Sequence, residues 1–251
     1  MNVIKIGSST IHYKSEGAGG PVILIHGFSL DHRMWKPQID FLSKKHQVIG
    51  YDMRGFGKSS IPADIYSHHE DLLTLIKSLQ FDKVSIVGLS LGGEVAIDFS
   101  ISYPQYVSKF VLASSSLGGY ASTVDWDVHA KEVGVEQAKK NWLNHAVFAP
   151  TIQNDNARQT LEKILSDYSG WHWFNHDPRT KLVPLALERL ADIKIPTKII
   201  VGANDLSYYH DIAKILGEGI SNSTTIIIPN SGHMVNLENP TEFNKVLQEF
   251  L

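Results

Sequence analysis

Ser90 lies between two glycines in the G-x-S-x-G segment Gly88–Gly92. The apolar run Lys83–Val87 comes just before this segment, and residues 91–103 have a helix-like pattern. A serine on a sharp strand-to-helix turn projects from the carboxyl end of the strand, and glycines on both sides avoid collisions there. The pattern predicts a nucleophilic Ser90. The alternative is a glycine-rich junction with an incidental serine, because a chain of this length contains such a segment by chance about one time in ten.

Two residues in the C-terminal part of the chain have the types and order that a serine nucleophile needs. A hydroxyl is a weak nucleophile at neutral pH and needs a base that a third group orients. Asp205 and His233 each follow an apolar run, in the chain order serine, acid, histidine. Because parallel sheets place their active sites at strand carboxyl ends, we predict Ser90, Asp205 and His233 as a catalytic triad. Asp211 is the alternative acid.

The predicted mechanism also needs backbone N–H groups that bind the developing negative charge of the tetrahedral intermediate. Leu91 follows the serine at the start of a predicted helix, where N–H groups have no partner within the helix. The sequence His26-Gly27-Phe28 follows an earlier apolar run and supplies the second donor in this layout. We predict the N–H groups of Phe28 and Leu91 as the oxyanion hole and His26 as a structural residue.

Short apolar runs alternate with stretches of helical periodicity along most of the chain. The runs are residues 21–26, 47–51, 83–87, 109–113, 197–201 and 224–228, and the helical stretches lie near 34–44, 66–80, 91–103, 208–217 and 240–251. This alternation predicts parallel strands joined by crossover helices. Two further stretches, near 2–6 and 10–15, predict a hairpin at one edge of the sheet.

The alternation stops at about residue 119 and resumes after residue 184. The intervening stretch is helical in pattern, and four of the five tryptophans of the chain lie in it. These aromatic side chains either form the core of a small helical subdomain or line a pocket that faces the main domain. On the second interpretation the candidate pocket residues are Trp142, Trp171, Trp173, Phe174 and, next to the histidine, Met234.

Composition and charge exclude several classes of protein. The net charge of the 251 residues is −3, which indicates neither a basic face for nucleic acid nor an acidic tail. The absence of cysteine excludes disulfides, thiolate metal sites and a cysteine nucleophile. No apolar run approaches the roughly 18 residues of a membrane span, and the first residues lack the pattern of a signal peptide. We therefore expect a cytoplasmic protein that binds neither nucleic acid nor membrane.

Taken together, these motifs resemble those of the α/β-hydrolase family over nearly the full chain. They are HGF at 26–28, DMRGFGKS at 52–59, GLSLGG at 88–93, GAND at 202–205, and GHM at 232–234 followed by ENP at 238–240. Within the family, the chain looks most like the 3-oxoadipate enol-lactonases and small carboxylesterases. The resemblance implies a mostly parallel eight-stranded sheet flanked by helices, with the core at residues 1–118 and 187–251 and an inserted helical cap at 119–186.

The resemblance also implies a function: hydrolysis of a small carboxylic ester or lactone through an acyl-enzyme, without a cofactor or a metal, by a monomer or homodimer. Ser90 stands where haloalkane dehalogenases and epoxide hydrolases of the family carry an aspartate. Met234 stands where C–C hydrolases typically carry a tryptophan. Two alternatives stay open: a C–C hydrolase or perhydrolase that uses the same triad, and a ligand receptor with slow hydrolysis.

Overall fold

The strands form one mixed sheet in a computed structural model that describes residues 1–251. They are β1 (Asn2–Ile6), β2 (Ser9–Glu16), β3 (Gly20–Ile25), β4 (His46–Tyr51), β5 (Val84–Leu89), β6 (Val107–Ala113), β7 (Thr197–Gly202) and β8 (Ser223–Ile228). Their spatial order is β1-β2-β4-β3-β5-β6-β7-β8. β1 and β2 form the expected hairpin, β2 pairs antiparallel with β4, and all other pairs are parallel. The prediction of a mostly parallel eight-stranded sheet is confirmed.

Eleven α-helices connect or follow the strands. They are α1 (Lys36–Leu42), α2 (His68–Ser78), α3 (Leu91–Ser102), α4 (Ala130–Val133), α5 (Val135–Leu143), α6 (Ala149–Ile152), α7 (Asp155–Asp167), α8 (Trp171–Phe174), α9 (Ser207–Gly219), α10 (Val235–Glu238) and α11 (Pro240–Phe250). Four short 3₁₀ helices span His32–Trp35, Pro104–Tyr106, Ala146–Phe148 and Ala186–Asp192. No helix is both long and apolar enough to cross a membrane.

Burial explains the composition of the central strands, and capping explains where the neighbouring helices begin. Residues 22–25 of β3 are all buried, as expected for a parallel strand covered on both faces. α2 begins where the side chain of Ser67 accepts the backbone N–H of Glu70, and it buries Leu72, Leu75 and Ile76 on one face. Helices of this kind cover the sheet and leave its carboxyl edge for loops.

The segment between Ala113 and Thr197 contains no strand of the sheet. Its longest helix, α7, begins at an Asn154 cap and buries Leu161, Ile164 and Leu165. We call the helices and loops between β6 and β7 the insert. Because both ends of the insert connect to strands of the sheet, the insert lies close to the carboxyl edge where β6 ends.

The sequence DMRGFGKS, residues 52–59, forms a hydrogen-bonded turn after β4. One carboxylate oxygen of Asp52 accepts the N–H of His32 at 3.0 Å, and the other accepts the N–H of Lys58 at 2.9 Å. Arg54 and Asp71, both buried, form a bidentate pair at 2.7 and 2.9 Å. These contacts fix the loop beside the carboxyl edge of the sheet.

Candidate active site

Ser90 occupies the turn between β5 and α3 with a backbone conformation that side chains rarely adopt. Its φ is 54° and its ψ is −119°. Its N–H donates to the carbonyl of Ala113 at 3.1 Å, and its own carbonyl accepts the N–H of Gly93 at 2.9 Å and of Ser116 at 3.0 Å. A residue held in such a region costs on the order of 1–3 kcal/mol and persists because its surroundings fix it.

Gly88 and Gly92 allow backbone segments to meet at this turn. A Cβ on Gly88 would collide with the carbonyl of Gly92, and a Cβ on Gly92 would collide with the carbonyls of Ile25 and His26. Larger residues would therefore push the start of α3 away from β3. The two glycines hold Ser90 next to the loop that follows β3.

His233 and Asp205 lie close together in the loops after β8 and β7. The distance from His233 Nδ1 to Asp205 Oδ2 is 3.3 Å, and both side chains are buried. The other carboxylate oxygen of Asp205 accepts the N–H of Leu206 at 2.8 Å. Asp211 is exposed on α9 and makes no side-chain hydrogen bond or ion pair. The geometry favours Asp205 over Asp211 as the partner of His233.

Ser90 and His233 line the same cavity, but no hydrogen bond joins their side chains. The one side-chain hydrogen bond of Ser90 Oγ is with the hydroxyl of Tyr209, at a long 3.5 Å. The Tyr209 ring packs against the His233 ring with 4.2 Å between centroids. Hydrogen bonds between catalytic groups are often long in free enzymes and shorten when substrate binds. The sequence analysis did not identify Tyr209.

Glu238 holds the loop that carries His233. Its carboxylate accepts the N–H of Gly232, the N–H of Met234 at 3.1 Å and the hydroxyl of Thr151 at 2.6 Å. Burial raises the pKa of Glu238 above its ordinary value, although these hydrogen bonds act in the opposite direction. Glu238 belongs to the ENP motif, but its role was not predicted. An acidic residue five positions after the histidine was the available signal.

Phe28 and Leu91, the predicted oxyanion donors, both line the cavity. Phe28 is in the loop after β3, Leu91 is the first residue of α3, and neither donates any of the hydrogen bonds found in turns, loops or to side chains. The loop approaches the serine closely, because a Cβ on Gly27 would lie 3.4 Å from Ser90 Cβ. Two unpaired N–H groups beside a nucleophile can bind an oxyanion.

His26 is buried below this loop with both ring nitrogens paired. Its Nε2 accepts the N–H of Met53 at 2.9 Å, and its Nδ1 donates to the carbonyl of Gly27 at 2.7 Å. Burial lowers its pKa, so the neutral ring with its proton on Nδ1 fits both contacts. The contacts fit the structural role expected of His26.

The cavity above Ser90 has a volume of about 320 Å³, and 12 of its 20 lining residues are hydrophobic. Apolar walls with a few polar groups are typical of small-molecule sites. From the insert, the lining includes Trp126, Trp142, Val147, Phe148, His172, Trp173, Asp177 and Arg179. The insert therefore forms a large part of the wall of the cavity that contains Ser90.

The structure places only some of the predicted pocket residues in this cavity. Trp142 and Trp173 line it, but Trp171, Phe174 and Met234 do not. Trp171 and Phe174 lie at the two ends of the single-turn helix α8, where Trp171 packs against the ring of His172 and Phe174 is 41% exposed. Met234 is fully buried behind the His233 loop. Sequence reasoning missed Trp126 and Phe148 as lining residues, although both belong to the aromatic set of the insert.

One end of the cavity is polar and adjoins α3. Burial lowers the pKa of His172 to about 4 and that of His68 well below its ordinary value, so both rings are neutral near pH 7. The guanidinium of Arg179 lies 3.5 Å from Glu94. Asp98, one turn along α3 from Glu94, has a carboxylate oxygen without a hydrogen-bond partner. Burial, and secondarily the Glu94 charge, raise the pKa of Asp98 to about 7.

The substitution Asp98→Asn is expected to stabilise the protein at high pH. The pKa of this carboxyl rises from 3.8 to about 7 on folding, so the folded state binds the extra proton between these values. Wild-type stability therefore falls as pH rises through that window, and asparagine removes the effect. The stabilisation is expected to be about 2–3 kcal/mol larger at pH 8 than at pH 5.

Urea unfolding of both proteins at the two pH values measures this difference. Asp82→Asn, at an exposed position, is the control and is expected to show no such trend. An equal effect of Asp98→Asn at both pH values would contradict the raised pKa.

Comparisons with known proteins agree with this architecture. Residues 20–196 match the family model described as alpha/beta hydrolase fold. The (E)-2-((N-methylformamido)methylene)succinate hydrolase of Acinetobacter baylyi is 26% identical over 257 residues, which cover 96% of this chain and 94% of that protein. The 3-oxoadipate enol-lactonase 1 of the same species is 25% identical over 239 residues, 92% of this chain and 88% of that one.

A solved structure extends the likeness to three dimensions. The meta-cleavage product hydrolase from Pseudomonas fluorescens IP01 superposes with a TM-score of 0.78 at 26% identity. The match covers 100% of this chain and 97% of that one. The chain is thus similar along its whole length to hydrolases of more than one bond type.

Proposed function

The chain belongs to the α/β-hydrolase family, and from that premise we propose that it is a serine hydrolase of small carboxylic esters or lactones. One observation carries the proposal. Ser90, on a strained turn, opens into an apolar cavity that also holds the imidazole of His233, and that imidazole faces the buried carboxylate of Asp205. A hydroxyl, a base and an orienting acid in this order are the parts that acyl transfer to a serine requires.

In the proposed mechanism Ser90 Oγ attacks the carbonyl carbon while His233 Nε2 takes the hydroxyl proton. Asp205 orients the ring and stabilises the imidazolium that forms. The N–H groups of Phe28 and Leu91 bind the oxyanion. In serine hydrolases one such donor stabilises the transition state by about 2.7–4 kcal/mol. His233 then gives its proton to the leaving oxygen. In deacylation, His233 takes a proton from a water molecule, the water oxygen attacks the acyl carbon, and Ser90 Oγ leaves and regains its proton.

We further propose that residues 119–186 act as a cap over a core made of residues 1–118 and 187–251. The support is the contribution of Trp126, Trp142 and Trp173 to the cavity that contains Ser90. A cavity of about 320 Å³ beneath such a cap suits a small acyl group.

Ester turnover is therefore expected to depend on acyl length with a maximum at short chains. Each methylene that fits adds about 0.8 kcal/mol of burial, and each that does not fit must displace packed insert side chains. We expect kcat/KM to rise from acetyl to butyryl or hexanoyl and to fall steeply by dodecanoyl. The measurement is a series of p-nitrophenyl esters below their micelle-forming concentrations, run beside lactones of graded ring size.

The blank for this series is the Ser90→Ala protein, which reports non-enzymatic hydrolysis and turnover by contaminants. A maximum at long chains, or activation by an oil–water interface, would contradict the covered-site proposal. Absence of turnover across all esters and lactones would contradict the proposed reaction itself.

A second candidate reaction is hydrolysis of a C–C bond on the same catalytic residues. The full-length similarity to a meta-cleavage product hydrolase favours it. Met234, buried beside the histidine, stands where such enzymes typically carry a tryptophan, and this departure favours the ester reaction. A 2-hydroxy-6-oxo-dienoic acid tested beside the esters separates the two, because a C–C hydrolase turns it over faster than any ester.

A further inference from the structure

Tyr209 is placed at the reacting atoms although the mechanism above gives it no role. Its hydroxyl is the only side-chain group that hydrogen-bonds with Ser90 Oγ, at 3.5 Å. Its ring lies against the His233 ring, with the two planes inclined by 34°. Tyr209 is only 3% exposed, and it lines the same cavity as Ser90 and His233. A buried phenol aimed at a nucleophile needs a partner during the reaction.

The order of the strands shows which part of the substrate this hydroxyl faces. Ser90 follows β5, and Phe28 follows β3 on one side of it. Tyr209 and His233 follow β7 and β8 on the other side. The carbonyl oxygen of a bound ester points to the oxyanion donors, and the leaving oxygen must lie near His233, which protonates it. Tyr209 therefore lies on the leaving-group side of Ser90.

The phenol keeps its proton at working pH. Burial raises the pKa of Tyr209 well above its ordinary value of 10.0, and the nearby Asp205 charge acts in the same direction. The group is therefore an O–H donor and not a phenolate. A neutral donor next to an oxygen that gains negative charge stabilises that charge without taking part in proton transfer.

We propose that Tyr209 is a catalytic residue, which donates a hydrogen bond to the departing alkoxide oxygen of the ester or lactone. The proposal rests on the proposed function. In this step the bond from the acyl carbon to the leaving oxygen breaks, and its electron pair goes to that oxygen. The proton that neutralises the oxygen comes from His233 Nε2, and Tyr209 keeps its own. The phenol contributes most where the leaving oxygen is most basic.

The test compares two butyrate esters that share an acyl group but differ in leaving group. For Tyr209→Phe, kcat/KM of ethyl butyrate is expected to fall about 10- to 100-fold, the range for a hydrogen bond to a charged group. With p-nitrophenyl butyrate the fall is expected to stay below about threefold, because nitrophenolate leaves without help. The ratio kcat/KM is used because it reports acylation and not the shared deacylation step.

Tyr51→Phe is the matched control, because Tyr51 is a buried tyrosine outside the cavity whose hydroxyl has no hydrogen-bond partner. It is expected to leave both esters unchanged. Phenylalanine at 209 retains the ring against His233, and the rate of labelling by a p-nitrophenyl phosphonate checks that Ser90 and His233 stay competent. An equal fall for both esters, or no fall for either, would overturn the role of Tyr209. Absence of turnover of both esters by the wild-type protein would instead overturn the proposed function.

Discussion

The Ser90→Ala protein is expected to show no measurable hydrolysis of any ester or lactone that the wild type turns over. Removal of the nucleophile from a serine triad lowers kcat by about a million-fold, because no other group can form the acyl-enzyme. The fold is expected to survive, since alanine removes one oxygen and the turn is held by backbone hydrogen bonds to Ala113, Gly93 and Ser116. Steady-state rates and the thermal unfolding midpoint of both proteins measure the two parts of this expectation.

The neighbouring serines provide the control. Ser115 is buried and donates to the carbonyl of Ser116 at 2.7 Å, so Ser115→Ala removes the same atom at a position outside the cavity. It is expected to keep its activity. A serine-directed phosphonate is expected to add once, at Ser90, when the modified peptide is located by mass spectrometry. Ser116 does line the cavity, and labelling there would contradict the assignment of Ser90 as the nucleophile.

Asp205→Asn is expected to lower kcat by about 10⁴-fold with little change in the fold. An asparagine at this position can present an N–H to His233 Nδ1, and the ring then holds its proton on the wrong nitrogen. The neutral amide also fails to stabilise the imidazolium that forms during attack. Both losses act on the chemical step, so KM is expected to change much less than kcat.

The alternative acid gives the matched control for this substitution. Asp211→Asn makes the same chemical change six residues along the chain, at an exposed position on α9. It is expected to leave kcat within about twofold of wild type, as surface changes usually do. A nearly normal Asp205→Asn together with an inactive Asp211→Asn would reverse the assignment of the acid.

The sheet and the strand-end residues were accessible from sequence for a physical reason. Buried parallel strands read as short apolar runs, and crossover helices read as longer amphipathic stretches, so the alternation itself gave the order of elements. Because all parallel strands end at the same edge, residues as distant in sequence as Ser90 and His233 could be expected to meet. Their types and chain order then indicated the chemistry.

The cavity wall was less accessible because the insert has no such regularity. α8 has only four residues, Trp171–Phe174, all bulky, so no periodicity distinguishes its inner from its outer side. Trp173 faces the cavity while Phe174 faces solvent, and Trp126 reaches the cavity from a loop. Tertiary packing decides these positions. Tyr209 was missed for a similar reason, since no sequence pattern marks a tyrosine four residues after Asp205 as part of the site.

The contact between Thr151 and Glu238 has a consequence for redesign by segment exchange. Grafting the insert of another hydrolase between β6 and β7 is a direct way to alter acyl preference. A graft without a hydroxyl donor at position 151 would leave a buried carboxylate short of a partner, at a cost of about 1–3 kcal/mol. That carboxylate also holds both backbone neighbours of His233, so the chimera would lose rate on all substrates alike and its new preference would be hidden. Libraries of exchanged inserts are therefore best built with Thr151 fixed.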